Sequence, residues 1–140
     1  MLEQIPLISL SKVWHLIKPG IEEILDDLNK DCIQEFWTPE DVYVSLRTNQ
    51  AVLLLNDNIG FVIVQIRNDV YTGVKQFFVW MGYSFDPEIE VMEHVQVFLE
   101  ELAKQWGCEM MAFSSNRAGF RKKAKDMGYC IGPTNYVKRI

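Results

Sequence analysis

The sequence has 140 residues, of which 49% are hydrophobic and 12% are aromatic. This composition can fill one hydrophobic core, so it excludes an intrinsically disordered chain and predicts a single domain over residues 1–140. No apolar run approaches the ~18–20 residues that a membrane-spanning helix needs. Residues 1–6 show no basic segment followed by an apolar stretch, so we expect no signal peptide and a cytoplasmic location.

The charges are unevenly divided along the chain. The formal net charge is −5, but residues 1–106 hold 7 basic and 17 acidic side chains, whereas residues 107–140 hold 7 and 2. A net negative charge favours solubility and argues against nucleic acid as the partner of the whole chain. The basic character of residues 107–140 therefore needs a local explanation.

The cysteines and histidines are few and widely spaced. Cys32, Cys108 and Cys130 form no C-x-x-C pair, which argues against a disulfide framework or a zinc site and favours a reducing compartment. His15 and His94 are not spaced as metal ligands. We therefore expect no metal site.

The first half of the chain predicts helices followed by a β-hairpin. A helix is expected over residues 10–29, with a break at Pro19-Gly20. A second helix is expected to begin at Thr38-Pro39-Glu40-Asp41, because threonine is a good N-cap and proline suits the first helical position. Strands over residues 51–55 and 60–67 are joined by Asn-Asp-Asn, which is typical of a tight turn.

The second half alternates strands with helices. Residues 76–83 are almost continuously hydrophobic, which predicts a strand covered on both faces. A long helix is expected to begin at Asp86-Pro87-Glu88 and to end near Trp106, with an apolar stripe at helical spacing. The remaining predicted elements are a strand over Glu109–Ser114, a helix from Asn116 to Met127 and a last strand over Asn135–Ile140.

This order of elements predicts the fold class. Strands and helices mix throughout, which indicates an α/β (α+β) protein with a single mixed, mostly antiparallel sheet and helices on both faces. The same order, together with the segment from Gly107 to Tyr129, resembles the GNAT family of N-acetyltransferases. The resemblance is strongest to the short, divergent versions encoded in tailed-phage genomes. It implies an acyl-CoA N-acyltransferase-like fold, and the cytoplasm of a host cell if the protein is phage-encoded.

The resemblance also implies where acetyl-CoA would bind. In the family, the strand before the long helix splays from its neighbour, and its main chain pairs with the pantetheine arm. The asparagine that follows the next strand and basic residues of the helix after it lie close to the cofactor. The matching positions here are Trp80, Met81, Gly82, Tyr83, Ser84, Asn116, Arg117 and Arg121.

The turn that binds pyrophosphate in the family is different in this sequence. Residues 82–90 contain no glycine after Gly82 and no basic residue, and Pro87 lacks an N–H group. The three carboxylates of Asp86, Glu88 and Glu90 are expected to satisfy the helix end themselves and to repel an anion. Binding of acetyl-CoA therefore stays an open question at this point.

The residues for proton transfer are also not fixed by the resemblance. Many family members have a tyrosine where this chain has Ala124. Tyr83, Tyr129 and Tyr136 are candidates to replace that acid, although a tyrosine at a strand end more often serves packing. For the general base, Glu109, Asp69 or a helix carboxylate are candidates.

The basic residues of the last helix have two interpretations. Arg121 and its neighbours lie opposite the apolar stripe of Phe120, Ala124 and Met127, as on an ordinary solvated helix face. Alternatively they form an anion site, for the 3′-phosphate of CoA, for nucleic acid or for an acidic protein surface.

Two functions are compatible with these observations. The first is a divergent N-acetyltransferase that moves acetyl from acetyl-CoA to an amine. The alternative is a catalytically inactive GNAT-fold protein of a phage, acting in virion morphogenesis or as an inhibitor of a host protein. The partner is a small amine in the first case and a protein in the second, and either is compatible with a homo-oligomer.

Overall fold

The computed structural model describes residues 1–30, 36–115, 119–133, 136–138 and 140. Within these ranges the chain forms five strands and four helices. Their bounds are β1 Glu3–Gln4, α1 Leu7–Leu28, α2 Pro39–Arg47, β2 Val52–Asn56, β3 Gly60–Asn68, β4 Lys75–Ser84, α3 Val91–Gln105, β5 Met110–Phe113 and α4 Phe120–Asp126.

The strands form one sheet in the order β1-β2-β3-β4-β5. The pairs from β1 to β4 are antiparallel, and β5 pairs with β4 in parallel because α3 carries the chain back across the sheet. One face is covered by α3 and α4 through residues such as Leu99 and Phe120, and the other by α1 and α2 through Ile21 and Val42. The predicted mixed, mostly antiparallel sheet with helices on both faces is confirmed.

Helix α1 is continuous, so the predicted break at Pro19-Gly20 is wrong. Pro19 lies inside the helix on its exposed side, where the lost N–H donor affects only one backbone hydrogen bond. Ile17 and Ile21, on either side, are fully buried against the sheet. Burial of this helix face stabilises a conformation that the local sequence disfavours.

Helix α2 begins as predicted, at a capping box. The Thr38 hydroxyl accepts a hydrogen bond from the Asp41 amide at 3.3 Å, and the Asp41 carboxylate accepts one from the Thr38 amide at 2.8 Å. Pro39 is the first helical residue. Four consecutive residues therefore define where this helix begins.

Helix α3 begins later than predicted, because the residues before it form a separate turn. The Asp86 carboxylate accepts a hydrogen bond from the Glu88 amide at 2.9 Å, and the Asp86 carbonyl accepts one from the Ile89 amide at 3.0 Å. The first helical residue is Val91, whose amide donates to the Ser84 hydroxyl at 3.0 Å. The side chain that caps the helix thus comes from the end of β4 and is not one of the carboxylates.

The last predicted strand is not formed in the described part of the C-terminal segment. Tyr136, Val137, Lys138 and Ile140 are exposed and outside any strand or helix. Among the described residues, none of these four pairs with a strand of the sheet. Asn135, where the predicted strand begins, lies outside the described residues.

Candidate functional site

Strand β4 bends away from β5 at a β-bulge. Ile63 of β3 pairs with Met81 and the next residue, Val64, pairs with Val79, so Trp80 is an extra residue in β4. Such a bulge bends the strand and increases its twist. The parallel pairing of β4 with β5 ends at the same point, at Val79 opposite Phe113, while β4 continues to Ser84.

A cleft lies where the two strands separate. Its base is formed by residues 79–82 of β4, and its walls by residues 113–115 after β5, by Phe120 of α4 and by Ile24, Asp27 and Leu28 of α1. It holds about 750 Å³, including its opening to solvent, and the side chains of Glu90 and Met92 from the start of α3 also line it. Beyond Val79, β4 still pairs with β3, but its edge on the β5 side is unpaired. We call residues 80–84 the unpaired stretch of β4, and the cleft lies beside it.

The structure brings five of the predicted cofactor positions to this cleft or beside it. Trp80, Met81 and Gly82 line it through β4. Tyr83 and Ser84 follow on the same strand, but their side chains form other contacts. The Tyr83 hydroxyl donates to Glu23. The Ser84 hydroxyl caps α3 and donates a hydrogen bond to the Ile89 carbonyl. Two further predicted positions, Asn116 and Arg117, lie outside the described residues.

The end of the cleft at α3 is poorly suited to a diphosphate. The Val91 amide already donates to Ser84, the Glu88 amide donates to Asp86, and Pro87 has no N–H group. Glu90 occupies the N-cap position of α3 without a capping bond from its own side chain. The prediction that the carboxylates satisfy the helix end is wrong at the first helical amide, since Val91 donates to Ser84, whereas Asp86 accepts from Glu88 in the turn before the helix. The charged side chains of this turn are acidic, which disfavours a diphosphate. The groups at this end do not fit the diphosphate of CoA.

Tyr83 forms a hydrogen-bonded pair with a carboxylate of α1. Its hydroxyl donates to Glu23, and its ring stacks on Phe61 with centroids 5.6 Å apart. The hydrogen bond to Glu23, together with partial burial, raises the pKa of Tyr83 above its usual value. Gly20 permits this approach, because a Cβ atom there would lie 2.8 Å from Tyr83 Cδ1 and 2.9 Å from Phe61 Cε1.

Sequence reasoning did not single out Glu23 or Asp27. Both were part of an acidic helix face that is normally solvated. The only local signal was Gly20, a helical glycine that marks where α1 approaches β4 closely. Glu23 and Asp27 are one helical turn apart, so the pair with Tyr83 lies beside the cleft that Asp27 lines.

The other candidates for proton transfer, Glu109, Tyr136 and Asp69, do not line the cleft. Glu109 precedes β5, and its amide donates to the Lys75 carbonyl at the start of β4, whereas the cleft lies near the end of β4. Five residues separate Glu109 from Ser114 of the cleft, which is about 17 Å along an extended strand. Tyr136 is 94% exposed. Amide hydrogen bonds from Thr72 and Tyr71 hold the pKa of Asp69 below its usual value in the turn before β4.

Helix α4 presents a basic face beside the cleft. Phe120 and Ala124 are buried, as the predicted stripe requires, and Arg121, Lys122 and Lys125 are exposed. We call these three residues the basic face of α4. Lys123 is engaged with Glu93 of α3 at 3.8 Å, which ties α4 to the start of the long helix.

Comparison with known proteins identifies the fold. No protein-family model matches the sequence, and no curated protein is similar to it in sequence. Solved structures match almost the whole chain at low identity. A ribosomal-protein-alanine N-acetyltransferase from Brucella melitensis superposes with a TM-score of 0.69 and 17% identity, covering 100% of this chain and 98% of that one. The chain has the GNAT fold.

Two further structures have the same fold. Glucosamine-6-phosphate N-acetyltransferase from Arabidopsis thaliana matches with a TM-score of 0.61 and 13% identity, covering 99% of this chain and 97% of that one. A predicted acetyltransferase with acetyl-CoA from Clostridium acetobutylicum matches with a TM-score of 0.64 and 12% identity, covering 99% and 95%. The fold inferred from the resemblance is confirmed, and the phage origin stays a prediction.

Two kinds of feature are absent from the described part of the chain. No helix in these ranges is long and apolar enough to cross a membrane. In the same part of the chain, no group of three or more histidine, cysteine, aspartate or glutamate side chains is placed to hold a metal ion.

Proposed function

We propose that this protein is an N-acyltransferase that moves an acyl group, such as acetyl, from a pantetheine thioester to an amine. The observation that carries the proposal is the cleft beside the unpaired stretch of β4, in a fold that is shared with acetyltransferases. One of these structures is described with acetyl-CoA, which supports a thioester of the same kind as the donor here.

The unpaired stretch of β4 suits the pantetheine arm. The arm contains two amide groups, and a strand edge offers alternating N–H and C=O groups to such a chain, as when a peptide adds to a sheet. Val79, Phe113 and Phe120 supply apolar surface that separates the reacting end from water. When bound, the thioester would supply an acyl carbon that an amine attacks, with release of the thiol.

Glu23 is the proposed proton acceptor for the attacking amine. A neutral amine forms the new bond to the acyl carbon, its proton passes to the Glu23 carboxylate, and the sulfur leaves and is protonated from solvent. Tyr83 acts as a positioning residue, since its hydroxyl donates to this carboxylate and fixes its orientation.

A direct test is amine-dependent release of free thiol from acetylpantetheine. The wild-type protein is expected to release thiol above the buffer rate with at least one of a panel of primary amines, including peptides with free N-termini. Ser114→Trp, which fills the cleft, is expected to abolish this release. Ser11→Trp on the exposed side of α1 is the matched control and should keep it, because Ser11 does not line the cleft.

If no amine in the panel increases thiol release above the buffer rate, even when the protein concentration is raised about fivefold, the proposal is contradicted. Equal activity of Ser114→Trp and wild type would also contradict it, since the reaction would then occur outside the cleft.

A further inference from the structure

The segment that would face the phosphates of CoA carries only negative formal charge. No lysine or arginine occurs between Lys75 and Lys104, a stretch that includes the end of β4, the turn and nearly all of α3. The same stretch contributes Asp86 and Glu88 to the turn before α3. Two backbone amides there are already engaged with Asp86 and Ser84. This end of the cleft therefore disfavours a highly charged anion.

Pantetheine thioesters exist in two forms that differ greatly in charge. In CoA, the arm ends in a diphosphate and a nucleotide with a further 3′-phosphate. On a carrier protein, the same arm ends in one phosphodiester linked to a serine side chain. The second form keeps the amide-containing arm that suits β4 and removes most of the charge that the start of α3 opposes.

A basic surface lies on the other side of the cleft. Helix α4 begins at Phe120, which lines the cleft, and its seven residues extend only about 10 Å from it. The basic face of α4 is exposed, and its side chains make no ion pair with the residues that the structure describes. Lys123, by contrast, is engaged with Glu93. These exposed cations thus lie where the body of a protein that inserts its arm into the cleft would rest.

We propose that the acyl donor is an acidic carrier protein whose phosphopantetheine arm enters the cleft while its surface docks on the basic face of α4. This inference rests on the proposed function, since it requires that a pantetheine thioester binds beside β4. Charge complementarity selects the partner, because a short cluster of exposed cations in an otherwise acidic protein favours an anionic surface.

The test compares three donors by isothermal titration at low ionic strength: acetylpantetheine, acetyl-CoA and a bacterial acyl carrier protein with an acetylated phosphopantetheine arm. The carrier protein is expected to bind with a Kd at least about tenfold lower than either small thioester. Lys122→Glu with Lys125→Glu should raise the Kd for the carrier about tenfold or more and leave the Kd for acetylpantetheine within about twofold.

A matched variant controls for net charge. Lys12→Glu with Arg47→Glu makes the same change of charge on exposed residues of α1 and α2 that do not line the cleft. This variant is expected to bind the carrier as the wild type does. Equal melting temperatures of the two double variants show that both are folded.

The outcomes separate this inference from the proposed function. If acetyl-CoA binds as tightly as the carrier, or if the α4 reversals weaken acetyl-CoA as much as the carrier, the basic face holds a nucleotide phosphate and the inference is wrong. If acetylpantetheine binds but the carrier binds no better, the inference fails while the proposed function stands. If none of the three donors binds, both fail.

Discussion

Replacing Gly60 with alanine is expected to lower the free energy of unfolding by about 3 kcal/mol or more. Gly60 is the first residue of β3, with φ of +152°, and pairs with Ser84 at the end of β4. A Cβ atom there would lie 2.0 Å from the Tyr83 carbonyl oxygen and 3.0 Å from Ser84 Cα. These are backbone atoms, so the clash is relieved only by separating β3 from the end of β4.

Urea denaturation of Gly60→Ala measures this loss, and Gly73→Ala is the matched control. Gly73 also has a positive φ, +71°, but a Cβ atom there meets nothing within 4 Å. Its replacement should cost only about 1 kcal/mol, from backbone strain alone. Equal losses for the two variants would contradict the account, since contact with Tyr83 would then contribute nothing.

Replacing Glu23 with glutamine is expected to lower kcat/KM for acyl transfer about 100-fold or more, because the amide cannot accept the proton of the amine. Tyr83→Phe should have a smaller effect, about tenfold, because it removes only the hydroxyl that orients Glu23. The measurement is the initial rate of amine-dependent thiol release at subsaturating acetylpantetheine. Glu22→Gln is the matched control, since Glu22 is exposed and contacts Lys18 instead.

The contribution of Tyr83 has a defined pH dependence. Its pKa is raised in the folded protein, so the phenol stays protonated and donates to Glu23 throughout the neutral range. Any stabilisation from this bond is fully present below pH 10 and is lost as the pH rises through the raised pKa.

Rates of Glu22→Gln and Glu23→Gln that are equal at pH 8 would exclude Glu23 as the proton acceptor.

Elements with strong local signals could be predicted from the sequence. Thr38-Pro39-Glu40-Asp41 defines a helix start because the capping residues contact one another over four positions. The hairpin between β2 and β3 was predicted from Asn-Asp-Asn, and the Asn56 side chain does accept hydrogen bonds from the Asn58 and Ile59 amides. The apolar stripe of α3 likewise depends only on helical spacing, and Leu99 is fully buried.

Other features could not be predicted because they depend on residues distant in the chain. The continuity of α1 through Pro19 follows from burial against the sheet, and the late start of α3 follows from a hydrogen bond with Ser84 of β4. Strand β1 has only two residues and no periodic pattern. The bulge at Trp80 depends on the register with β3, which the hydrophobic pattern of β4 does not reveal.

The candidate site was located only in part from the sequence, for the same reason. The stretch from Trp80 to Ser84 was identified from the resemblance, and the structure places it at or beside the cleft. Glu23 was missed, because its proximity to Tyr83 is created by the packing of α1 on β4 at Gly20.

The most direct test of the central claim is to titrate the ¹⁵N-labelled protein with acetylpantetheine and follow the backbone amide resonances. If the thioester binds in the cleft, saturable shifts are expected for residues 80–84 and for Ser114 and Ser115, with a Kd of about 1 mM or lower. Amides of α2 and of the turn between β3 and β4, at residues 69–74, should not move. Saturable shifts confined to those distant residues, or no shift at 10-fold this concentration, would contradict binding in the cleft.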